Sequence, residues 1–355
     1  MKKVVLCGAT HGSNFGDTMF GLMFYQYIKQ RYPDIKIYFT RISDYFKNCQ
    51  ENSETLDCSW KEVDGLIFIS GGYFGDSPNE NYRNSYFRFM NYIRFGICAK
   101  RRKIPIAVIG VGAGPIRNIL IRKMIISICN NANVISVRDR QSYQFLKNNG
   151  CKNKIIITSD SAQAIRSTKF SLCGEEKHCD LSNNGKRRVL LHCPTVEVKE
   201  YTEKVIRAVD SMFKNNESVE VYFTNDSKVD KRNLEKVALA FTGNNKNIYV
   251  YDDPCKFIDF IKEMDLIITP KLHVGIFGAT LGKSVISLPI HPDKTQRYYQ
   301  QIGYSERCIP LSDLEDGQIS ELIKQYADIP IELSEDIYMN AAKNFDMLDS
   351  FIRNI

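Results

Sequence analysis

The sequence predicts an α/β protein made of two Rossmann-like, doubly wound domains facing across a cleft. Three observations carry that expectation. Short β-branched and aliphatic runs alternate with helix-length segments along nearly the whole chain, the pattern of a parallel sheet covered by helices. Glycine or polar residues follow almost every run, so ligand-binding groups would collect at the carboxyl ends of strands. The alternation breaks over residues 167–187, a polar stretch bearing glycine and asparagine, and restarts at Arg188. The 355 residues suffice for two ordinary cores, and 43% hydrophobic with 25% charged residues is the balance of a soluble globular protein.

Lys3 to Cys7 reads as the first strand. Its leading lysines and short apolar run resemble a signal peptide superficially, but the run is too short and leads straight into a glycine-rich turn. GATHGSNFGD (8–17) then precedes an apolar helix from about Thr18 to Arg31. A glycine-rich loop between a first strand and helix presents free amides to an anion. It lacks the G-K-[ST] ending of a P-loop, and Gly8, Gly12 and Gly16 do not make G-x-G-x-x-G. Asn14 and Asp17 are its notable polar residues, and Asp17 reads either as an N-cap or as a substrate contact.

Ile35 to Phe39 makes a second strand and Gly65 to Ser70 a third, with Cys49 to Lys61 a surface helix or loop between them. The third ends in Gly71-Gly72-Tyr73-Phe74-Gly75-Asp76, another glycine-rich strand end. Asn79 to Lys100 reads as a helix whose aromatic stripe (Tyr82, Tyr86, Phe87, Phe89, Tyr92, Phe95) belongs mostly to the core. Ile104 to Ile109 is a fourth strand, closed by Gly110, Gly112, Gly114 and Pro115. A helix from about Asn118 to Asn130 follows, then strand Val134 to Val137 and the pair Arg138-Asp139, an ion pair and helix cap or a functional site. Ile155 to Thr158 is the last strand of this half.

The second half reads as strand Arg188 to His192, helix Glu200 to Phe213, strand Val219 to Thr224, helix Lys231 to Phe241, strand Ile248 to Tyr251 and helix Pro254 to Met264. The stretch Asp265 to Lys294 is the most informative. Leu266 to Thr269 is an apolar strand ended by Pro270. His273 to Leu281 has helical spacing and small residues (Gly275, Gly278, Ala279) that allow close packing on a sheet. Gly282 is a C-cap, and Val285 to Pro289 is the next strand. Lys271, His273 and Lys294 therefore leave strand ends on one side, an arrangement suited to an anionic small molecule. Glu335 to Ile355 is a final amphipathic helix, read as packing back on the first half.

The net charge of +7 gathers at Arg101-Arg102-Lys103, Arg117 to Lys123 and Lys186-Arg187-Arg188. Each cluster alone reads as a solvated helix end or turn; together they would attract an anionic substrate or membrane surface. No nucleic-acid module accompanies them, so nucleic acid is not an expected partner. No run of about 18 apolar residues predicts a spanning helix. Eleven scattered cysteines without C-x-x-C point to reduced thiols in a cytoplasmic setting, and Cys173, His178 and Cys179 lack the second pair of a zinc site.

Six pieces in order resemble the polysaccharide pyruvyl transferase family: GSNFGD (12–17), GGYFGD (71–76), IPIAVIGVGAGPI (104–116), ISVRDRQSYQFLKNNG (135–150), SDSA (159–162) and TPKLHVGIFGATLGKSVISLP with HPDKTQRYYQQIG (269–303). No piece is specific alone; the ordered combination is, and it spans almost the whole chain. The resemblance implies a GT-B-like fold, with residues 1–166 on the acceptor side, a 167–187 linker, 188–332 on the phosphoenolpyruvate side and a 333–355 helix. It implies transfer of pyruvate from phosphoenolpyruvate onto two sugar hydroxyls as a ketal, in bacterial capsule, exopolysaccharide or cell-wall polymers. Two departures stand out. Lys271-Leu272-His273 replaces the family's usual Arg-Leu-His, losing a bidentate fork, and Tyr73 replaces an expected third glycine, which would narrow the cleft.

On that resemblance Arg138, Lys271 and Lys294 are expected to hold phosphate and carboxylate, with Asn14, Gly71, Gly72, Gly112 and Leu272 lining the site. His273 is a candidate acid or phosphate contact, and Asp76 or Asp17 the base. His291 is expected to shape the turn before Lys294, while His192, Asp160 and His11 are read as structural. No motif implies a metal or organic cofactor; phosphoenolpyruvate enters as co-substrate. The expected partner is a sugar acceptor, lipid-linked in one version, met by a cytoplasmic enzyme at the inner membrane face. Two rivals are a GT-B glycosyltransferase using a nucleotide sugar, with Asp252 or Asp253 as nucleotide contact, and a non-catalytic ligand-binding protein of the same pathway.

Overall fold

A computed structural model describes residues 1–56, 59–76, 81–166, 185–194, 199–228, 231–290, 292–315 and 317–355. The chain divides into two compact units: Met1–Ser13, Asp17–Leu172 and Glu335–Ile355 form the first, and Asn14–Gly16 with Cys173–Ser334 the second. Most of the expected 167–187 linker, the Cys173/His178/Cys179 group and His291 lie outside the described residues.

In the first unit β1 runs Lys3–Cys7, β2 Lys36–Phe39, β3 Glu54–Thr55, β4 Gly65–Phe68, β5 Gly71–Phe74, β6 Ile106–Ala113, β7 Val134–Val137 and β8 Ile156–Ile157. Their order is β3-β2-β1-β4-β6-β7-β8, with β5 also paired to β6, and all pairings are parallel. Every residue of β4 and β6 is buried, as a strand covered by helices on both faces must be. The order reverses between β1 and β4, so the loops after these two strands flank the crevice where such sheets bind ligands.

Three details differ from the sequence reading. β6 does not stop at Ile109: Gly110 takes φ +63° and the register shifts between Val108 and Val111, so the glycine forms a bulge inside a longer strand. That extra length gives Gly71–Phe74 a partner, and the expected loop becomes β5. The aromatic helix runs Tyr82–Arg88, continues as a π-turn over Phe89–Ile93 and ends as Arg94–Arg101. The wider turn re-phases the helix face. Tyr92 is therefore in the core and Phe89 and Phe95 pack against it, whereas Tyr82, Tyr86 and Phe87 are exposed.

Tyr73 does not narrow a cleft. Its ring is buried, stacks on Tyr92 at 4.4 Å between centroids, and donates its hydroxyl to the carbonyls of Cys7 (3.0 Å) and Ile69. The C-terminal helix, Glu335–Asn354, seats Phe345 against Phe24 and Tyr27, and buries Asn344 at the ends of β7 and β8.

In the second unit β9 runs Arg187–His192, β10 Val219–Thr224, β11 Lys246–Ile248, β12 Leu266–Thr269 and β13 Ser284–Ser287. They form a parallel sheet in the order β11-β10-β9-β12-β13, reversing between β9 and β12. Helix Leu272–Thr280 lies close on this sheet: a Cβ on Gly278 would come 2.7 Å from Ile267 Cδ1. Lys294 does not leave a strand end directly but sits in the first turn of helix Pro292–Ile302. Among the described residues seven cysteines are free thiols.

Candidate functional site

The carboxyl edge of the second sheet gathers polar residues at its switch point. β9 ends in His192, β10 runs into Asn225-Asp226, and β12 into Pro270-Lys271. Asp226 is the hub. Its Oδ2 accepts from Asn14 Nδ2 at 2.8 Å, and its main-chain oxygen accepts from Phe15 N at 2.8 Å. Its Oδ1 lies 3.6 Å from His192 Nε2 and 3.7 Å from Lys271 Nζ, longer than ordinary hydrogen bonds. Burial opposes ionisation of this carboxyl, but His192, Lys271 and Asn14 more than offset it and hold it well below the usual carboxylate range. His192 is wholly buried, with no hydrogen-bond partner at either ring nitrogen.

Lys271 reaches solvent, its side chain 39% exposed against 3% for Asp226. It is also the N-cap of helix Leu272–Thr280 and makes no side-chain cap. The first-turn amides, at the positive end of the helix dipole, are thus open to an anion beside an ammonium group. His273 lies in that first turn, directly against the chain at Gly16, where a Cβ would fall 2.0 Å from His273 Nδ1. Phe15 anchors the Asn14–Gly16 segment by packing on Phe257 and Phe277, each at 4.9 Å between centroids. Gly16, in the first turn of helix Phe15–Arg31, thus needs to be glycine so that an imidazole can approach it.

The first unit holds the other candidates. Arg138, after β7, is buried and donates to Asp160 Oδ2 at 2.9 Å, and it lies over Gly112, where a Cβ would come 2.9 Å from its Nε. Asp139 caps the next helix through Ser142 N at 2.6 Å. Asp76 accepts Arg88 Nη1 at 3.0 Å on one oxygen and Arg117 N at 2.7 Å on the other, so it ties the end of β5 to the turn after β6. Gly71 and Gly72 lie within β5. Asp17, in the first turn of helix Phe15–Arg31, helps burial raise the Tyr92 hydroxyl far above its ordinary value. His11 sits edge-on to Phe87 at 5.3 Å, and burial, then Arg41, push its imidazole toward the neutral form.

The structure thus joins Asn14, Lys271, His192 and Asp226 into one cluster, and His273 follows Lys271 by two residues in the first turn of the helix. Asp226 escaped sequence reasoning. The signal was available, since Asn225-Asp226 directly follows a strand, where ligand-facing residues belong. The two carboxylates offered as nucleotide contacts are otherwise engaged: Asp253 caps helix Pro254–Lys262 through Cys255 N (2.8 Å), and Asp252 lies 3.4 Å from Lys256. Among the described residues no group of three or more His, Cys, Asp or Glu is placed to hold a metal ion.

A family model described as polysaccharide pyruvyl transferase matches residues 14–292. A comparison with curated proteins finds no match. Similar solved structures include UDP-GlcNAc 2-epimerase from Methanocaldococcus jannaschii, at 10% identity and TM-score 0.67 over 99% of this chain and 100% of that one. The S. aureus MnaA–UDP co-structure shares 13% identity at TM-score 0.60, covering 100% and 98%. MurG of Acinetobacter baumannii shares 12% at TM-score 0.56, covering 99% and 100%. At such identities the likeness is one of fold, the two-domain α/β architecture of GT-B type.

Proposed function

The chain belongs to the polysaccharide pyruvyl transferase family, and from that premise we propose that it moves pyruvate from phosphoenolpyruvate onto two hydroxyls of a sugar, forming a ketal and releasing phosphate. The observation that carries this reading is the Lys271–His273 turn: an ammonium, an imidazole and uncapped helix amides at the switch point of a parallel sheet. Phosphoenolpyruvate has roughly three negative charges near neutral pH, and such a turn supplies donors of the matching sign. Lys294, on the helix that follows the neighbouring strand, supplies the second cation.

In the reaction a proton reaches the methylene carbon of the enol, leaving an oxocarbenium-like centre at C2. One sugar hydroxyl adds there and gives up its proton to a base. Phosphate departs with the C–O bonding electrons and takes up the proton that the base removed from the first hydroxyl, and the second hydroxyl closes the ketal as its proton restores the imidazolium. His273 is assigned the proton delivery, because bound phosphate beside it favours the imidazolium form. Asp76 or Asp17 is assigned the base that takes the acceptor's proton. Phosphoenolpyruvate is co-substrate, and no further cofactor enters the scheme. A lipid-linked sugar is the acceptor form that such an enzyme would meet at the cytoplasmic face of a membrane.

The test is phosphate release from phosphoenolpyruvate with galactose- or mannose-type acceptors. Release that requires acceptor, and is lost in His273→Ala and Lys294→Ala, supports the reading. Release indifferent to both substitutions removes the site. Thermal stabilisation by a UDP-sugar but not by phosphoenolpyruvate would instead favour a glycosyltransferase.

A further inference from the structure

Between Glu80 and Asp139 the chain carries eleven Lys and Arg and no acidic residue, in a protein whose overall net charge is only +7. The same stretch holds five of the ten large apolar side chains exposed among the described residues: Tyr82 (91%), Tyr86 (65%), Phe87 (49%), Ile119 (56%) and Leu120 (67%). Both features belong to the first unit, and the fold brings them together. Arg88 Nη1 and Arg117 N bond the two oxygens of one carboxylate, that of Asp76, so the helix bearing Tyr82, Tyr86 and Phe87 meets the turn that leads into Ile119 and Leu120. The helix Ile119–Cys129 then packs alongside the Phe89–Arg101 segment. Arg83, Arg117 and Lys123 are exposed around these side chains. The carboxylate that joins the two segments, Asp76, is 6% exposed and already paired with Arg88.

We propose that this surface docks the protein on an anionic phospholipid bilayer, with the aromatic and aliphatic side chains in the headgroup boundary and the surrounding cations on lipid phosphates. The chemistry is that of an interfacial helix: apolar groups on one face, Lys and Arg at its margin, Tyr at the polar–apolar boundary. A second copy of the chain is a poor occupant, because it would set the same cation-rich surface against itself. The surface lies at the carboxyl edge of the first sheet, beyond the ends of β5 and β6, the edge where ligands of parallel sheets bind. A bilayer there would bring lipid-borne molecules to that edge. The inference stands on surface composition alone and does not depend on the pyruvyl-transfer reading.

Vesicle co-sedimentation of the whole chain tests it, using phosphatidylcholine vesicles with and without phosphatidylglycerol. Binding is expected to the anionic vesicles alone, and to fall as salt rises from about 0.1 M to 1 M and the screening length drops from about 10 Å to about 3 Å. Arg117→Glu with Lys123→Glu should lower partitioning by at least about fivefold per cation lost. Tyr86→Ser with Phe87→Ser should lower it at unchanged circular dichroism, and Tyr82→Ser, at the most exposed position, serves if that pair misfolds. Failure to bind anionic vesicles overturns the proposal, as does binding that neither set of substitutions weakens. Concentration-dependent self-association lost in the Ser variants, without vesicle binding, would reassign the surface to a second copy.

Discussion

Lys271 Nζ lies 3.7 Å from Asp226 Oδ1, a half-exposed ammonium backed by a buried carboxylate. The carboxylate holds the lysine at the mouth of helix Leu272–Thr280 without covering it, so the outer side of the ammonium remains available to an anion. Charge at this position should therefore matter more than side-chain shape. Lys271→Arg is expected to keep acceptor-dependent phosphate release within about tenfold. Lys271→Met should lose about a hundredfold or more, the scale of removing one oriented electrostatic donor. Steady-state kinetics with phosphoenolpyruvate varied would check this, and equal activity in both variants would remove Lys271 from the site.

Asp226 also makes an acid-stability prediction. Its folded carboxyl titrates below the unfolded one, so the stability it contributes is fully present above the ordinary carboxyl range, near pH 3.9, and is lost as pH falls below it. Asp226→Asn should lower the melting temperature at pH 6 to 8, and the two melting curves should converge as pH drops below about 4. Thermal denaturation across that range reads it out. A constant offset at all pH values would mean that the substitution acts through packing rather than charge.

Gly16 and His273 form the tightest fit in the candidate site. An alanine methyl 2.0 Å from Nδ1 cannot be accommodated unless the ring or the Asn14–Gly16 segment moves. Gly16→Ala is expected to cost about 1–3 kcal/mol as overpacking and to depress phosphate release as strongly as His273→Ala. The double variant should then be no worse than either single one, because both remove the same imidazole position. Additive losses in the double variant would show that Gly16 acts independently of His273.

How much of this was legible beforehand follows physical lines. The strands Lys3–Cys7, Val134–Val137, Val219–Thr224 and Leu266–Thr269 could be read to the residue, because a short, mostly buried run dominated by β-branched, aliphatic and aromatic residues between polar or glycine-bearing segments has few alternatives. The glycine-bearing end of β6 was misread as loop, since nothing local announces that Gly110 will bulge and the strand resume. The aromatic stripe was placed too far inside, because a π-turn changes helical phase without a sequence marker. Lys271 and His273 could be picked out by their place after a strand. Asp226 gained its meaning only from three partners distant in sequence, Asn14, His192 and Lys271.

The same kind of long-range convergence gives the C-terminal helix its anchor, and it can be broken at one residue. Asn344 is fully buried; its Oδ1 accepts from Ser136 Oγ at 2.7 Å and Thr158 Oγ1 at 2.9 Å, and its Nδ2 donates to Ser159 O at 3.0 Å. Ser136 Oγ in turn accepts Gly110 N at 2.8 Å, so the bulge of β6 is joined to the helix through one hydroxyl. Asn344→Leu fills the space but leaves the Ser136 hydroxyl and the Ser159 carbonyl to find other partners, each at a cost of about 1–3 kcal/mol if none is found, whereas Thr158 Oγ1 keeps Val137 O at 3.2 Å. A loss of about 3 kcal/mol in urea denaturation is expected, with hydrogen exchange accelerating first in Glu335–Asn354 and at Gly110. A loss below about 1 kcal/mol would mean that water replaces the amide and that apolar contacts such as Phe345 on Tyr27 hold the helix instead.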